Sequence, residues 1–275
     1  MRALECFVWP VLCMLGPAVL AEAAPEPSRA APAPDPPRIR QTGPHLYQIG
    51  AVIIDAKERT VRCPGRVNMA EGGPIEVFAC LPRGKTHESV LTVDVEPMDL
   101  QVALLLLDMK EGRNPAVRYP DGSPELKRLP GDDALIFVEW KMPAKEEGKE
   151  PQVQRCRAEE LLYMAKEERA VTGAAWVFLG STVASGRFGA DLDGTLITTF
   201  HDPLAILELN LPLVNNNPYA GADLEYIVNK GHCPPVGTPV DLIIQVPPKA
   251  EPAQDANDKE KGNGGRTGDP PAAGR

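Results

Sequence analysis

The sequence predicts an α+β fold, in which mostly antiparallel sheets carry two or three short helices on one side. Three observations indicate this class. Short segments rich in Val, Ile and Leu alternate with Gly, Pro and charged turns. A single Leu-rich segment at 100–107 has helical spacing. The pair Asp193-Gly194 is typical of a tight hairpin turn between two strands.

The first half of the predicted domain contains strands and one helix. Four strands are predicted, at 46–54, 60–67, 75–81 and 90–95. The helix begins after Glu96, with Pro97 in its first turn and Asp99 near the positive end of its dipole, and Gly112 ends it. Because apolar side chains surround most of this helix, we expect it to be buried and packed on the sheet.

The second half follows a long turn-rich connection at 113–131 and predicts more strands. The expected elements, in chain order, are a hairpin over 134–140 and 152–157 with a charged tip at 145–149, a short helix at 158–166, a buried strand at 175–179, a hairpin over 187–192 and 195–200, a helical turn from Asp202-Pro203, and strands near 224–228 and 240–246.

Both ends of the chain predict segments outside the folded domain. Met1 and Arg2 precede an apolar run at 7–20, and Ala21-Glu22-Ala23 has the pattern that a signal peptidase requires. Residues 1–23 therefore predict a signal peptide cleaved near Ala23. The Ala/Pro-rich residues 24–44 predict a linker, and 249–275 predict a disordered tail, which leaves one folded domain over 45–248.

Export and charge restrict the function classes. The apolar run is shorter than the roughly 20 residues of a membrane-spanning helix, and no second run follows, so no transmembrane span is predicted. The expected location is the periplasm or the extracellular space. Leader and linker charges cancel and the tail is balanced, so the net charge of −9 belongs to 45–248. A domain this acidic does not attract the phosphates of nucleic acid, so nucleic acid is not predicted as a partner. Other cell-envelope proteins remain candidate partners.

Four cysteines lie in the predicted domain, and an oxidising compartment favours disulfides between them. A hairpin symmetric about Glu71-Gly72 would place Cys63 opposite Cys80, within disulfide range. The remaining pair is Cys156 and Cys233. The alternative is that all four are unpaired, buried thiols. No Cys-x-x-Cys spacing occurs, so neither a metal site nor a cofactor is predicted.

The densest polar cluster is Lys85-Thr86-His87-Glu88-Ser89, directly before a predicted strand. These side chains include a base, a nucleophile and a cation, which acid–base or nucleophilic chemistry requires. Along a strand, Lys85, His87 and Ser89 would share one face and Glu88 would point away. A Ser–His pair without its orienting acid is incomplete as a triad, so no residue is assigned as catalytic. The alternative is a buried polar corner that joins a turn to the sheet.

Several blocks, in order, resemble one known family. They are Glu76-Val77, the cluster at 85–89, the helix at 100–107, Val138-Glu139-Trp140, the segments at 176–181 and 190–194, and the Pro-Pro-Val-Gly-Thr-Pro-Val block at 234–240. Together they resemble the YdjY-type domain of exported bacterial proteins over nearly all of 45–248. The resemblance implies an exported domain without an established biochemical role. Some members are described as ferredoxin-like, but this chain lacks the cysteine run that an iron–sulfur cluster needs.

Three functions remain open from the sequence. The first is a non-enzymatic binding or structural module displayed outside the cytoplasm. The second is a hydrolase-like enzyme that uses His87 and Ser89 with a distant acid. The third is a redox or metal accessory protein that uses Cys80, Cys156, Cys233, His87 and His232. An open cleft around Lys85, His87, Glu88 and Ser89 would favour ligand binding or catalysis, and a sealed cluster would indicate a scaffold.

Overall fold

The computed structural model describes residues 39–112, 131–142, 150–184, 186–200, 202–210 and 226–248. The strands are β1 Ile39–Gly43, β2 Leu46–Ile49, β3 Val52–Asp55, β4 Thr60–Val67, β5 Val77–Cys80, β6 Ser89–Val93, β7 Asp133–Met142, β8 Gln152–Arg157, β9 Leu162–Met164, β10 Arg169–Ala170, β11 Ala175–Phe178, β12 Val183–Ala184, β13 Arg187–Phe188, β14 Thr195–Thr198, β15 Leu207–Asn210, β16 Tyr226–Val228 and β17 Pro239–Gln245. The α-helices are α1 Pro97–Leu106 and α2 Gly189–Asp193, and short 3-10 turns span Thr86–Glu88 and Ala158–Leu161.

Eight of these strands form a closed barrel. Their order is β4-β17-β7-β11-β15-β14-β5-β6, and β6 pairs back with β4 to close the sheet. The sheet is mixed, because β5 runs parallel to β6 and β14 runs parallel to β15, whereas the other neighbours in the barrel are antiparallel. Closure removes the unpaired edges that an open sheet would expose.

The predicted α+β class with antiparallel sheets is therefore wrong. Of the residues that the structure describes, 46% are in strands and 13% are helical, and the closed mixed barrel dominates them. The Leu-rich segment does form α1, with Leu100, Ala103 and Leu104 buried, but Leu105 and Leu106 are 44% and 53% exposed. Six of the ten residues of α1 are buried, so the predicted burial of this helix fails at Leu105 and Leu106 and holds over most of its surface.

Other predicted elements differ in kind from what the structure contains. The residues before Asp193-Gly194 form α2, and Gly194 ends that helix with φ 79°, so no hairpin turn occurs there. The predicted helix at 158–166 is a 3-10 turn followed by β9. The predicted hairpin of β7 and β8 is present, with Val138 opposite Cys156. Its charged tip at 145–149 and most of the connection at 113–131 lie outside the described residues.

Strands before the barrel extend one side of its sheet. β1, β2 and β3 form an antiparallel meander that joins the first half of β4. β1 lies inside the segment that the sequence predicted as a linker, and four of its five residues are exposed. In the part of the chain that the structure describes, no helix has the length and apolar character needed to cross a membrane.

Aromatic side chains fill the barrel interior. Phe78 of β5 and Trp176 of β11 are fully buried, and their ring centroids lie 5.0 Å apart with the planes tilted by 53°. Since two strands separate β5 from β11 along the sheet, this contact is made across the interior. Offset or tilted ring pairs at this distance add stabilisation beyond the area they bury.

Two short crossover segments create the parallel strand pairs and meet at one end of the barrel. The first, 81–88, joins β5 to β6, and the second, 199–206, joins β14 to β15. Val77 pairs with both Ser89 and Thr198, so the start of β5, the start of β6 and the end of β14 lie side by side. Polar residues from both crossovers therefore meet at this end.

Candidate functional site

An open cleft of about 430 Å³ lies at this end of the barrel. Its lining comes from the residue before β5 and from both crossovers, and comprises Glu76, Lys85, His87, Glu88, Phe200, Asp202 and Pro203. The cleft thus contains three of the four residues in the predicted polar site. It combines acidic, basic and apolar groups within one concave surface, which is typical of a ligand site.

Backbone hydrogen bonds hold the walls of the cleft. The Thr199 amide donates to the carbonyl of Glu76 at 3.0 Å, and the Thr199 hydroxyl donates to the carbonyl of Ile75 at 2.8 Å. On the other side, the side-chain amide of Asn68 donates to the carbonyls of Thr86 and Ser89 at 2.6 and 2.8 Å. These bonds fix the first crossover to the end of β4 and the second to the start of β5, and they hold the walls of the cleft in place.

Lys85 is the central cation of the cleft. Its Nζ lies 3.5 Å from Asp202 Oδ2 and 3.6 Å from Asp193 Oδ2, while the Asp202 side chain is only 9% exposed. Burial opposes the positive charge of Lys85, but the attraction of Asp202, Asp193 and Glu88 outweighs it and raises the pKa of the amine. Lys85 is therefore fully charged near neutral pH.

Glu76 and Glu88 form a carboxyl pair in the lining of the cleft. Partial burial, followed by the charge of Glu88 and a hydrogen bond to it, raises the pKa of Glu76, although Lys85 and His87 act in the other direction. His87 is 79% exposed, and its Nε2 lies 3.8 Å from Glu88 Oε2.

Ser89 does not belong to the cleft. It is fully buried at the start of β6, where its Oγ lies 3.1 Å from Cys80 Sγ and 3.4 Å from Asn68 Nδ2. The predicted sharing of one face by His87 and Ser89 is therefore wrong, because Thr86–Glu88 forms a 3-10 turn and not a strand. The hydrolase hypothesis loses its nucleophile, since His87 points to solvent and Ser89 to the core.

Four lining residues were not predicted as site residues, namely Glu76, Phe200, Asp202 and Pro203. Glu76 was noted only as part of a family block, Asp202 only as the start of a helical turn, and Phe200 only as the end of a strand. Glu76 lies directly before β5, and the others lie in the crossover between β14 and β15, so the signal that points to them is their place in loops next to strands. Their meeting depends on the parallel pairing of β14 with β15, which the sequence analysis did not predict.

The predicted bridge between Cys63 and Cys80 is wrong. β6 lies between β4 and β5 in the sheet, so the proposed hairpin does not form, and Cys63 faces Leu242 of β17 instead. Cys63, Cys80, Cys156 and Cys233 are all free thiols. Burial raises the pKa of Cys63 to about 12, and the same cause raises that of Cys233 to about 11. None of these thiols has the lowered pKa of a reactive nucleophile.

Cys156 and Cys233 are half-buried and lie near each other. Burial raises the pKa of Cys156 to about 12, and Glu160 and Cys233 contribute to the same direction. Asn229, which precedes Cys233, also binds the segment that follows Cys156. Its side-chain amide donates to the carbonyl of Glu160 and its backbone amide to the carbonyl of Leu161, each at 2.8 Å. Among the residues that the structure describes, no group of three or more His, Cys, Asp or Glu side chains is arranged to hold a metal ion.

Comparison with known proteins identifies the family. A family model described as the YdjY domain matches residues 52–245, which is more than half of the 275-residue chain. The chain therefore belongs to the YdjY domain family, and the resemblance of its sequence blocks is confirmed. The matched region runs from β3 to β17 and includes the barrel and the cleft. No curated protein and no solved structure matches the chain significantly.

Proposed function

We propose that this member of the YdjY family is an exported, non-enzymatic module that binds a small ligand in the cleft between its two crossover segments. The single observation that carries the proposal is the open cleft itself. Charged and apolar side chains from distant parts of the chain converge there, and hydrogen bonds through Thr199 and Asn68 hold the walls in place. A preformed site of this kind binds without a large ordering cost.

The position of the potential nucleophiles supports binding over turnover. Ser89 Oγ and Cys80 Sγ lie 3.1 Å apart, within hydrogen-bond distance, but both residues are fully buried and neither lines the cleft. Burial is also the main reason that the pKa of Cys80 is raised, which disfavours the thiolate. A covalent mechanism would need one of these groups to reach a bound ligand.

Export is supported by the amino-terminal pattern of the sequence. A short apolar run and Ala21-Glu22-Ala23 precede the folded domain, which matches the requirements of a cleaved leader. Expression of the full chain in a bacterial host with fractionation of the cells tests this directly. We expect the protein outside the inner membrane, with a mature amino terminus near Ala24 by intact mass. An uncut chain in the cytosol would refute the export part of the proposal.

A thermal-shift screen tests the binding part. Small charged and neutral metabolites are screened against the wild-type protein and the double variant His87→Ala/Glu88→Gln. We expect compounds that raise the Tm of the wild type but not of the variant, because a ligand stabilises only the state that binds it. A matched control is Lys57→Met/Glu58→Gln, which removes an exposed ion pair away from the cleft.

The fate of the compound separates binding from catalysis. We expect each hit to be recovered chemically unchanged after prolonged incubation with the protein, as shown by mass spectrometry. Conversion of a hit by the wild type and not by the double variant would replace the binding module with an enzyme. Hits that stabilise the wild type and the double variant equally would place binding elsewhere and refute the cleft as the site.

A further inference from the structure

We propose that the ligand of this cleft is an organic cation, a primary ammonium group carried on an apolar chain. The inference rests on the proposed function above and names the chemistry of the ligand. Four features of the cleft carry it: the excess of carboxyl groups, the full engagement of Lys85, the free side of the Glu76–Glu88 pair and the apolar wall.

Carboxyl groups outnumber cations in the lining. Glu76, Glu88 and Asp202 line the cleft. Asp193 is not part of the lining but forms an ion pair with Lys85. Lys85 lies between Asp202 and Asp193 at 3.5 and 3.6 Å, so its charge is already matched by two aspartates. The remaining acidic charge, on the Glu76–Glu88 side, faces the open volume.

The Glu76–Glu88 pair has a poorly satisfied negative charge. His87 Nε2 lies 3.8 Å from Glu88 Oε2 but is 79% exposed, and Lys85, whose charge also acts on both glutamates, is already held by the two aspartates. An ion pair with a side chain at this exposure is screened by water. An ammonium group has three N–H donors and can donate to carboxylate oxygens of more than one side chain, so it complements both glutamates at once.

The apolar wall indicates that the cation carries a hydrocarbon body. Phe200 and Pro203 line the cleft next to Asp202 and are only partly buried, so part of each surface is open to a ligand. An aliphatic chain packs on these surfaces, and an aromatic ring face also attracts a cation. A bare metal ion would leave this wall unused.

An anionic ligand fits the same cleft poorly. It would have to approach Lys85, but the ammonium group of Lys85 already forms ion pairs with Asp193 and Asp202. It would also lie close to Glu88 and Asp202, and like charges in a partly desolvated site repel strongly. The structure therefore favours a cation over an anion of similar size.

A matched series of small probes tests the inference. Cadaverine, pentane-1,5-diol and glutarate share one five-carbon skeleton and carry positive, no and negative charge. Each is titrated into the isotope-labelled protein at constant ionic strength, and the backbone amide signals of residues 76 and 85–88 are followed by NMR. We expect saturable shifts of these signals with cadaverine and none with the diol or with glutarate.

Two variants and a control assign the effect to the carboxyl pair. Glu88→Gln and Glu76→Gln keep the shape of the side chain and remove its charge, and we expect each to weaken cadaverine binding by about tenfold. Glu58→Gln, which removes an exposed acid outside the cleft, should leave the affinity unchanged. The NMR spectrum of each variant also shows whether it is folded, so a loss of binding cannot be confused with misfolding.

The pH dependence gives a second readout. The charged groups at the site are Glu76, Lys85, His87, Glu88, Asp193 and Asp202. Because the pKa of Glu76 is raised, its carboxyl loses its proton above the usual range of a glutamate, and cadaverine should bind more tightly as pH rises through that step. Glu76→Gln should remove this dependence.

The outcomes distinguish this inference from the proposed function. Binding of glutarate or of the diol at residues 76 and 85–88, without binding of cadaverine, would overturn the cationic ligand and leave the cleft as a binding site. Cadaverine shifts that survive in both glutamine variants would overturn the role of the carboxyl pair. Absence of any shift with cadaverine up to its solubility limit would overturn the inference outright.

Discussion

Lys85 Nζ lies 3.5 Å from Asp202 Oδ2, and this ion pair joins the two crossover segments that give the barrel its parallel strand pairs. Asp202 also accepts a hydrogen bond from the Leu204 amide at 2.8 Å, which fixes its carboxylate at the start of the second crossover. The pair therefore has a structural role and at the same time sets the charge of the cleft.

Removal of Lys85 should destabilise the protein. In Lys85→Met the buried Asp202 carboxylate loses its cation, which costs about 1–3 kcal/mol of unfolding free energy. Urea denaturation measures this loss. The control Lys57→Met removes an exposed lysine and should change stability by less than about 0.5 kcal/mol. If the double variant Lys85→Met/Asp202→Asn is no more stable than Lys85→Met, the unpaired carboxylate is not the cause.

The carboxyl of Glu76 should make the protein less stable as pH rises. Its pKa is raised in the folded state, so the folded protein retains a proton that the unfolded chain releases. The stabilising effect is complete below the usual glutamate range near 4.5 and is lost as pH rises through the raised pKa. Glu76→Gln mimics the protonated form, so we expect a higher Tm at neutral pH, a flatter pH profile, and no difference in strong acid.

The pH dependence of thermal stability also shows what result would contradict this prediction for Glu76. Thermal unfolding of the wild type and Glu76→Gln is compared across the acidic and neutral range. A variant that is less stable than the wild type at neutral pH would show that the carboxyl pair is held in its ionised form by Lys85 and His87. The Glu58→Gln variant, exposed and outside the cleft, corrects for the general effect of losing one acid.

Gly194 should not tolerate a side chain. Its φ of 79° is unfavourable for other residues, and an added Cβ would lie 3.0 Å from Gly84 Cα in the first crossover. We expect Gly194→Ala to lose about 2–3 kcal/mol. Gly173 has a similar φ of 69° but open space around it, so Gly173→Ala should lose only about 1 kcal/mol. Equal losses in denaturant unfolding would mean that the close approach to Gly84 contributes nothing.

The thiols should differ in their capacity to form a bridge. Since β6 separates Cys63 from Cys80, we expect no bridge between these two, whereas Cys156 and Cys233 remain a predicted pair for an oxidising compartment. Alkylation under denaturing conditions followed by intact mass, with and without reductant, counts the free thiols. Protein refolded with a glutathione couple should show two. A bridge that involves Cys63 or Cys80 would contradict the strand order.

The order of the strands depends on contacts that local sequence does not encode. β4 coincides with the predicted strand at 60–67, and β7 and β8 form the predicted hairpin. Alternation of apolar residues determines such elements, because it decides which face is buried. However, 60–67 and 75–81 were expected to pair, and the structure inserts β6 between them. Pairing between distant segments is decided by the shared core, and closure of the barrel is one result.

In the candidate site, too, local sequence predicts some features and long-range packing decides the others. Lys85, His87 and Glu88 lie in the cleft, as an accessible polar cluster predicts, but Ser89 is buried beside Cys80. The strand geometry assumed for 85–89 fails because the crossover must turn before β6 begins, and it does so through Thr86–Glu88. Glu76 and Asp202 are more than 100 residues apart in the sequence, so no local pattern could have placed them together.

The sequence by itself determined several strands, among them β4, β7 and β8, the helix α1, the family, and the polar character of 85–88, because these depend on local side-chain periodicity and on residue type. Only the tertiary structure decided that the strands close into a barrel, that two short crossovers meet at one end, and that Glu76 and Asp202 join Lys85 in a cleft. The physical reason is that these relationships arise from long-range pairing around one buried core, whose energy is shared by segments far apart in the chain.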